Sequence, residues 1–285
     1  MLIETKFITF SAFVGSWFLV SGLFWKLFER CEKAATDEAR TLASNWMANY
    51  NPGEHINHLA EIFCNSFDNV FGERHLTWKC FFRSSAASTI SVIVMLLLWI
   101  GIRPNEVIET NFYDSMTALI SWVLVWNLLP DYLSLLQTRL IVKRIKTHPK
   151  LTILWLFIDI ILTAVLAISV WLIVFLVFYL INSQNTFSEF IDVFSNVILP
   201  LSNGGDPIPS PGVIFYSTFF TSVWLWLYIV SGLLSKLTNS ANTTFAIVKK
   251  LLFRVDQPFI SLGAMSVIFI TGIYLIITPV IIVLA

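Results

Sequence analysis

The sequence predicts an all-α fold, a six-span bundle of transmembrane helices with a small cytoplasmic helical hairpin between spans 1 and 2. Composition is the first reason. Of the 285 residues, 56% are hydrophobic and only 13% are charged, whereas a soluble domain usually carries about 25% charged residues. The second reason is a set of six long apolar runs without Lys or Arg. The third is charge segregation, because sixteen of the eighteen Lys and Arg residues fall in alternate connections between these runs.

The six apolar runs set the predicted spans. A helix needs about 20 apolar residues to cross roughly 30 Å of hydrocarbon, and each run meets or nearly meets that length. The predicted spans are residues 7–25, 84–102, 116–136, 151–181, 213–235 and 258–284. The whole chain, residues 1–285, is therefore interpreted as a single integral membrane domain.

The basic residues predict the orientation of the chain. The connections 26–83, 137–150 and 236–257 hold seven, five and four Lys or Arg residues. Because cytoplasmic loops carry an excess of Lys and Arg, these three connections are predicted to be cytoplasmic. Both termini then lie outside the cytoplasm, with the protein in a plasma membrane or a bacterial inner membrane.

Residues 26–83, here called the cytoplasmic segment, form the only long predicted cytoplasmic connection. The sequence Asn51-Pro52-Gly53 is a strong turn signal. Apolar residues then recur at helical spacing through 55–71, which predicts an amphipathic helix. Its apolar face either packs on a neighbour or the membrane interface, or docks a protein partner.

One face of the predicted third span carries four polar residues at i, i+4, i+7 and i+11, a spacing that keeps them together on a helix. They are Asn127, Asp131, Ser134 and Thr138. Pro130 is predicted to kink this span, since proline removes a backbone hydrogen bond. The fourth span adds a second carboxylate, Asp159, flanked by Thr163. The two spans are joined by a short connection, so both carboxylates are predicted to share one inner-leaflet site.

Two interpretations of these acids remain open at the sequence level. An ionisable group inside a span is expensive and is a functional hypothesis by default. Asp131 and Asp159 with Asn127 could bind a cation through hard oxygen ligands, or hold a proton. In the structural alternative, Asp131 pairs with Arg139 or Lys143, whose long side chains can extend toward it, and Asp159 does likewise or caps polar neighbours.

A second candidate is a metal site in the cytoplasmic segment. Its side chains are of the types that bind zinc, although their spacing matches no zinc-finger pattern. The candidate ligands are His55, His58, Cys64, His75 and Cys80. The alternative is that they are ordinary cytoplasmic thiols and imidazoles.

Charge at the predicted inner face indicates the environment of the protein. A basic rim is expected to contact anionic lipid headgroups. It consists of Lys143, Arg144, Lys146, Lys150, Lys249 and Lys250. No basic stripe with interleaved aromatic residues predicts nucleic-acid binding, and no nucleotide or other cofactor motif predicts a bound cofactor.

Three activities are compatible with this pattern. The first prediction is a membrane scaffold, anchor or accessory subunit that acts through the cytoplasmic segment, because the chain lacks catalytic motifs. The alternative is a channel or transporter for protons or small cations that uses the polar face of span three together with Asp159. A membrane-embedded enzyme with a His/Cys metal is the third, and the sequence favours a protein without enzymatic activity.

Overall fold

A computed structural model describes residues 2–48, 67–68, 70–72, 74–109, 127–148, 151–181, 187–202, 212–220, 222 and 256–284. Within these ranges every regular element is helical. The helices are α1 (Leu2–Ala34), α2 (Asp37–Ala48), α3 (Trp78–Ile102), α4 (Pro104–Glu109), α5 (Leu128–Thr147), α6 (Thr152–Ile181), α7 (Phe187–Val193) and α8 (Pro258–Leu284). A π-helical turn, Phe194–Ile198, continues α7, and residues 212–220 are also helical.

Four of the described helices are long and apolar enough to cross a membrane. The qualifying parts of α1, α3, α6 and α8 are Glu4–Lys33, Trp78–Ile102, Leu154–Ile173 and Pro258–Ile282. They correspond to the predicted first, second, fourth and sixth spans and are consistent with an integral membrane protein. The predicted third and fifth spans lie in large part outside the described residues.

The distribution of polarity differs from that in a soluble protein. Large apolar side chains of α6 and α8 are exposed, among them Phe157 and Leu275. By contrast, the polar side chains of Asn127, Asp131 and Asp159 are at most 1% exposed. Lipid supplies no hydrophobic force that drives helices together, so small and polar residues hold transmembrane helices to one another. The burial pattern is therefore the one expected with lipid as the solvent.

The longest interface joins α1 to α8 in antiparallel orientation. The Trp17 indole donates a hydrogen bond of 3.0 Å to the hydroxyl of Thr271. Further along, Gly263 faces Phe28 so closely that a Cβ on the glycine would lie 2.8 Å from the Cβ of Phe28. Residues later in α1 contact residues earlier in α8, which makes the two helices antiparallel. The first and last described residues therefore lie at the same end of this helix pair.

Glu32 connects three helices at the other end of the α1–α8 interface. Its carboxylate accepts a hydrogen bond of 2.9 Å from the backbone N–H of Phe259, in the first turn of α8. It also pairs with Arg40 of α2, at 3.1 Å from Nε. The first N–H groups of a helix have no partner within the helix, and the carboxylate satisfies one of them. Glu32 is thus a buried acid with a clear structural role.

Helix α3 lies between α1 and α5. Near its carboxyl end, Gly101 permits close approach to α1, since a Cβ there would lie 2.7 Å from the ring of Phe13. Near its middle, the hydroxyl of Ser88 donates a hydrogen bond to Asp131 of α5. At its start, the Thr77 hydroxyl caps α3 by accepting from the N–H of Cys80 at 3.3 Å.

Several helices extend beyond the predicted spans. The span predicted to end at 136 continues as α5 to Thr147, so Arg139, Lys143 and Arg144 are helical rather than part of a short loop. The reason is that hydropathy marks where lipid ends, whereas a helix continues as long as it has a face to bury. Ile141 and Ile145, spaced by four residues, supply that face and are each 4% exposed.

Part of the predicted cytoplasmic hairpin is described. Helix α1 runs nine residues past its predicted end at 25, and α2 follows after Ala35 and Thr36. Phe67 and Phe71 are helical and buried, with ring centroids 4.8 Å apart. Residues 49–66, which hold the predicted turn and most of the predicted amphipathic helix, are outside the described ranges.

Candidate buried carboxylate site

The first polar cluster surrounds Asp131 in the first turn of α5. Asp131 is completely buried. Its Oδ2 atom accepts hydrogen bonds from the hydroxyl of Ser88 and, at 3.1 Å, from the side-chain amide of Asn127. That amide also donates to the hydroxyl of Ser217 at 2.8 Å, and its oxygen accepts from Thr218 at 3.2 Å. Three separate chain segments therefore meet at one carboxylate.

The second polar cluster surrounds Asp159 of α6, which is also completely buried. Its Oδ1 atom accepts from the hydroxyl of Thr138 at 3.4 Å and from the amide of Gln137 at 3.5 Å. The same amide donates to the hydroxyl of Thr163 at 3.2 Å. Thr163 in turn lies 3.1 Å from the hydroxyl of Ser222. These hydrogen bonds connect helices α5 and α6.

The predicted polar face of the third span is present in α5. Asn127, Asp131, Ser134 and Thr138 are each at most 1% exposed. Because α5 rises about 1.5 Å per residue, this face covers roughly 16 Å of helix. It connects the two clusters, since Asp131 belongs to the first and Thr138 to the second. The two acids are thus on adjoining helices and linked by one polar face.

Neither acid forms an ion pair within the described part of the chain, although Asp159 accepts hydrogen bonds from polar neighbours, as the structural alternative allows. Arg139 pairs instead with Asp68, 3.3 Å from its Oδ1 atom. It also donates to the carbonyl of Gly72 and lies 5.2 Å from the ring centroid of Phe67. Lys143 is exposed. The reason is geometric. Arg139 follows Asp131 by eight residues, and its side chain contacts Phe67, Asp68 and Gly72 instead.

Asp131 contacts α3 well inside that helix. Its partner Ser88 lies ten residues after the start of α3, which corresponds to about 15 Å along the helix. Pro130 is in the first turn of α5, where proline is tolerated. The residues where a kink was predicted, before 127, are outside the described ranges.

Several members of the two clusters were missed by sequence reasoning. No role in these clusters was predicted from the sequence for Ser88, Gln137, Ser217, Thr218 or Ser222. Ser84, Ser88 and Ser91 are all buried on α3. Their spacing of four and three residues was a signal for a polar helix face. The remaining contacts join residues 22 to 91 positions apart, which spacing alone does not reveal.

The candidate metal site is only partly described. His75 and Cys80 lie together, with Nδ1 and Sγ 3.7 Å apart. His55, His58 and Cys64 are outside the described residues. Within the described ranges, no three His, Cys, Asp or Glu side chains cluster as a metal site would require. The zinc hypothesis therefore stays a prediction.

His75 occupies a packed environment beside α5. Its ring stacks on Tyr132 at 4.2 Å between centroids, and its carbonyl accepts from the Tyr132 hydroxyl. Its Nε2 atom has no hydrogen-bond partner among the residues that the structure covers. Burial, together with the positive charge of Arg139, lowers the pKa of His75 below its ordinary value of 6.5. The structure therefore favours the neutral imidazole.

The basic rim is visible at two positions. Lys143 and Arg144 are exposed on the last turns of α5. The Lys146 side chain and residues Lys150, Lys249 and Lys250 are outside what the structure describes. At the start of α3, Trp78 and Phe82 are 77% and 65% exposed, an arrangement typical of aromatic residues at a membrane interface.

A cavity of about 560 Å³ lies between α1 and α8, away from both carboxylates. Phe10, Trp17, Tyr274 and Ile282 are among the residues that line it. Ligand sites usually combine an apolar wall with a few convergent polar groups, and this cavity is almost entirely apolar. We assign it no chemistry.

The chemistry available in the described residues is therefore that of two buried carboxyl groups with amide and hydroxyl neighbours. Such groups exchange protons or bind cations. Comparisons of the chain with protein-family models, with curated proteins and with solved structures found no match for it.

Proposed function

We propose that this protein is a multi-pass membrane channel or transporter for protons or small cations, with Asp131 and Asp159 at its centre. The observation that carries the proposal is that both acids are completely buried, while one carboxylate oxygen of each has no hydrogen-bond partner in the described part of the chain. A buried polar group without a partner costs free energy. A buried acid without a cation costs more. Such a cost is typical of a site that binds a proton or a cation during function.

The arrangement of helices supports this proposal. The first cluster links α3, α5 and the helical segment 212–220, and the second links α5 with α6. Transport sites in helical membrane proteins are built from polar side chains that face the interior of a bundle. The two clusters meet this description, since each is enclosed by at least two helices.

The proposed orientation places both termini outside the cytoplasm. It is supported by the antiparallel α1–α8 pair, in which the two chain ends lie at the same end of the bundle. It is also supported by exposed Lys143 and Arg144 at the end of α5, where they are available to anionic lipid headgroups. The proposed six spans include the incompletely described third and fifth.

The scaffold, anchor or accessory-subunit interpretation stays a prediction. It depends on the cytoplasmic segment, most of whose central part lies outside the described ranges. No contact in the described residues favours a particular protein partner at this segment. The buried acids, by contrast, are a specific feature that a passive anchor does not require.

The test is ion flux into liposomes that contain the purified protein. We expect flux above that of empty liposomes, reduced by more than about tenfold in Asp131→Asn and in Asp159→Asn. The matched control is Asp192→Asn, which changes an exposed acid on α7 and should leave flux at the wild-type level. Absence of flux from folded wild-type protein, for protons and for alkali cations alike, would contradict the proposal and favour the scaffold interpretation.

A further inference from the structure

The two buried carboxyl groups share one hydrogen-bond arrangement. In each, one oxygen accepts from one hydroxyl and one side-chain amide: Ser88 and Asn127 at Oδ2 of Asp131. Thr138 and Gln137 do the same at Oδ1 of Asp159. The other oxygen of each carboxyl group has no partner in the described ranges. The same hydrogen-bond arrangement, with one oxygen bonded twice and the other unbonded, therefore occurs on two different helices.

This arrangement is unfavourable for a metal cation. A hard cation such as Ca²⁺ takes six to eight oxygen ligands, whose lone pairs must face it. At Asp131 the neighbours instead direct hydrogen atoms at the carboxylate, and the amide oxygen of Asn127 already accepts from Thr218. At Asp159, the Gln137 amide nitrogen faces the acid. Positive ends of dipoles thus occupy the positions where cation ligands would be needed.

The same arrangement is favourable for a proton. The two donors at one oxygen stabilise the ionised form, because hydrogen bonds to a carboxylate favour its charge. Burial favours the neutral form. The unpartnered oxygen is where a proton is added or removed without breaking an existing hydrogen bond. Opposing effects of this kind allow both protonation states to be populated, which a proton carrier needs.

We infer that the ion handled at this site is the proton, bound and released at Oδ1 of Asp131 and at Oδ2 of Asp159. This inference rests on the proposed transport function and specifies its substrate. On release, the O–H bond of the carboxylic acid breaks, the proton passes to a water molecule that becomes hydronium, and a carboxylate with one negative charge remains. Uptake is the reverse step. No redox change is required, and water is the only co-reactant.

Helix α5 supplies hydroxyl groups between the two acids. Ser134 is completely buried and lies three residues after Asp131 and four before Thr138. These steps are about 4.5 Å and 6 Å along the helix axis. Thr138 in turn donates to Asp159. Hydroxyls both donate and accept, so this face offers intermediate positions for a proton that moves between the two acids.

Parallel flux measurements distinguish a proton from an alkali cation. Liposomes with wild-type protein receive either an entrapped pH-sensitive dye or an entrapped sodium-sensitive dye, with the membrane potential set by potassium and valinomycin. We expect proton flux but no sodium flux above empty liposomes. Sodium flux that depends on Asp131 and Asp159, without proton flux, would overturn this inference and leave the proposed transport function standing. Absence of both fluxes would overturn the transport function as well.

Variants of the serine hydroxyls test the intermediate positions. Ser134→Ala should lower proton flux by about threefold to tenfold, because it removes the buried hydroxyl between the acids. The control is Ser169→Ala, which removes an exposed hydroxyl from α6. Equal flux in both variants, at the wild-type level, would contradict a role for the α5 hydroxyls in the transfer.

Infrared spectroscopy gives a readout that does not depend on flux. A neutral carboxylic acid has a carbonyl stretching band that a carboxylate lacks. We expect this band in the wild-type protein, a weaker band in Asp131→Asn and in Asp159→Asn, and no change on addition of sodium. Loss of the band on addition of sodium at constant pH would show that a cation displaces the proton, which would overturn the inference.

Discussion

The protein buries acids in two contrasting ways. In the α1–α8 interface, Glu32 is 7% exposed and both of its functions are structural: it pairs with Arg40 and accepts from the first turn of α8. In the α5–α6 region, Asp131 and Asp159 have only neutral donors as neighbours in the described chain. In the α1–α8 interface, the buried charge of Glu32 is compensated by the cation Arg40. In the α5–α6 region, the neighbours of the two aspartates do not require them to be ionised.

This difference separates structural from functional carboxylates. Removing one partner of a buried ion pair is destabilising, because the remaining charge is left uncompensated. A carboxyl group with no cation nearby can be replaced by a neutral amide without leaving such a charge. The α1–α8 region should therefore respond to substitution in its stability, and the α5–α6 region in its activity.

The largest effect on stability is expected from Glu32→Gln. This change removes the charge that faces Arg40 and weakens the bond to the Phe259 N–H. We expect the free energy of unfolding to fall by about 2 kcal/mol, the usual contribution of hydrogen bonds to charged groups. Asp131→Asn should change it by less than about 1 kcal/mol. Unfolding in detergent, followed by circular dichroism, measures both variants, and equal losses in the two would break the comparison.

A similar effect is expected from Gly263→Ala in the α1–α8 interface. The added methyl group would lie 2.8 Å from the Cβ of Phe28, an atom that moves only with its backbone. We expect a loss of about 1 to 3 kcal/mol from overpacking, measured by the same unfolding experiment. Gly272→Ala on the same helix is the control, because nothing in the described part of the chain crowds its added Cβ within 4 Å. If Gly263→Ala were as stable as that control, the close packing of α1 on α8 would be refuted.

The smallest effect on stability is expected from substitution of His75. This buried titratable group extends the comparison between Glu32 and the two aspartates. Its pKa is lower in the folded protein than its ordinary value of 6.5. Below that value the unfolded chain binds a proton that the folded chain does not, so stability should fall as the pH decreases through this range. In His75→Gln the drop in Tm between about pH 7.5 and about pH 5.5 should be smaller.

The matched control for His75 is His148→Gln. His148 is exposed at the end of α5, and its replacement should leave the pH dependence of Tm as in the wild type. If His75→Gln also left this dependence unchanged, the acid-sensitive step would belong to groups other than His75.

Much of the fold could be predicted from local pattern. The four long helices that the structure describes coincide with predicted spans, because length and apolar composition depend only on neighbouring residues. Helix ends were less predictable. Helix α5 continues through Arg139, Lys143 and Arg144, since an apolar face can extend a helix beyond the lipid boundary that hydropathy detects.

Part of the candidate site could also be predicted from local sequence pattern. The burial of Asn127, Asp131, Ser134 and Thr138 follows from the helical repeat, which sets side chains with this spacing on one face. Their partners did not follow from it. Pairing of Asp131 with Arg139 was one of the two interpretations, based on the reach of the long arginine side chain, and the structure pairs Arg139 with Asp68 instead.

The sequence by itself determined the composition, the helical class and the apolar runs, because lipid solvation and helix periodicity act over one or a few turns of chain. Only the tertiary structure decided that Ser88 and Asn127 converge on Asp131 and that Gln137 and Thr138 converge on Asp159. It also decided that Glu32 is the acid that pairs with a basic residue, Arg40. These choices depend on how distant helices pack, since side chains from separate segments become neighbours only when the bundle forms.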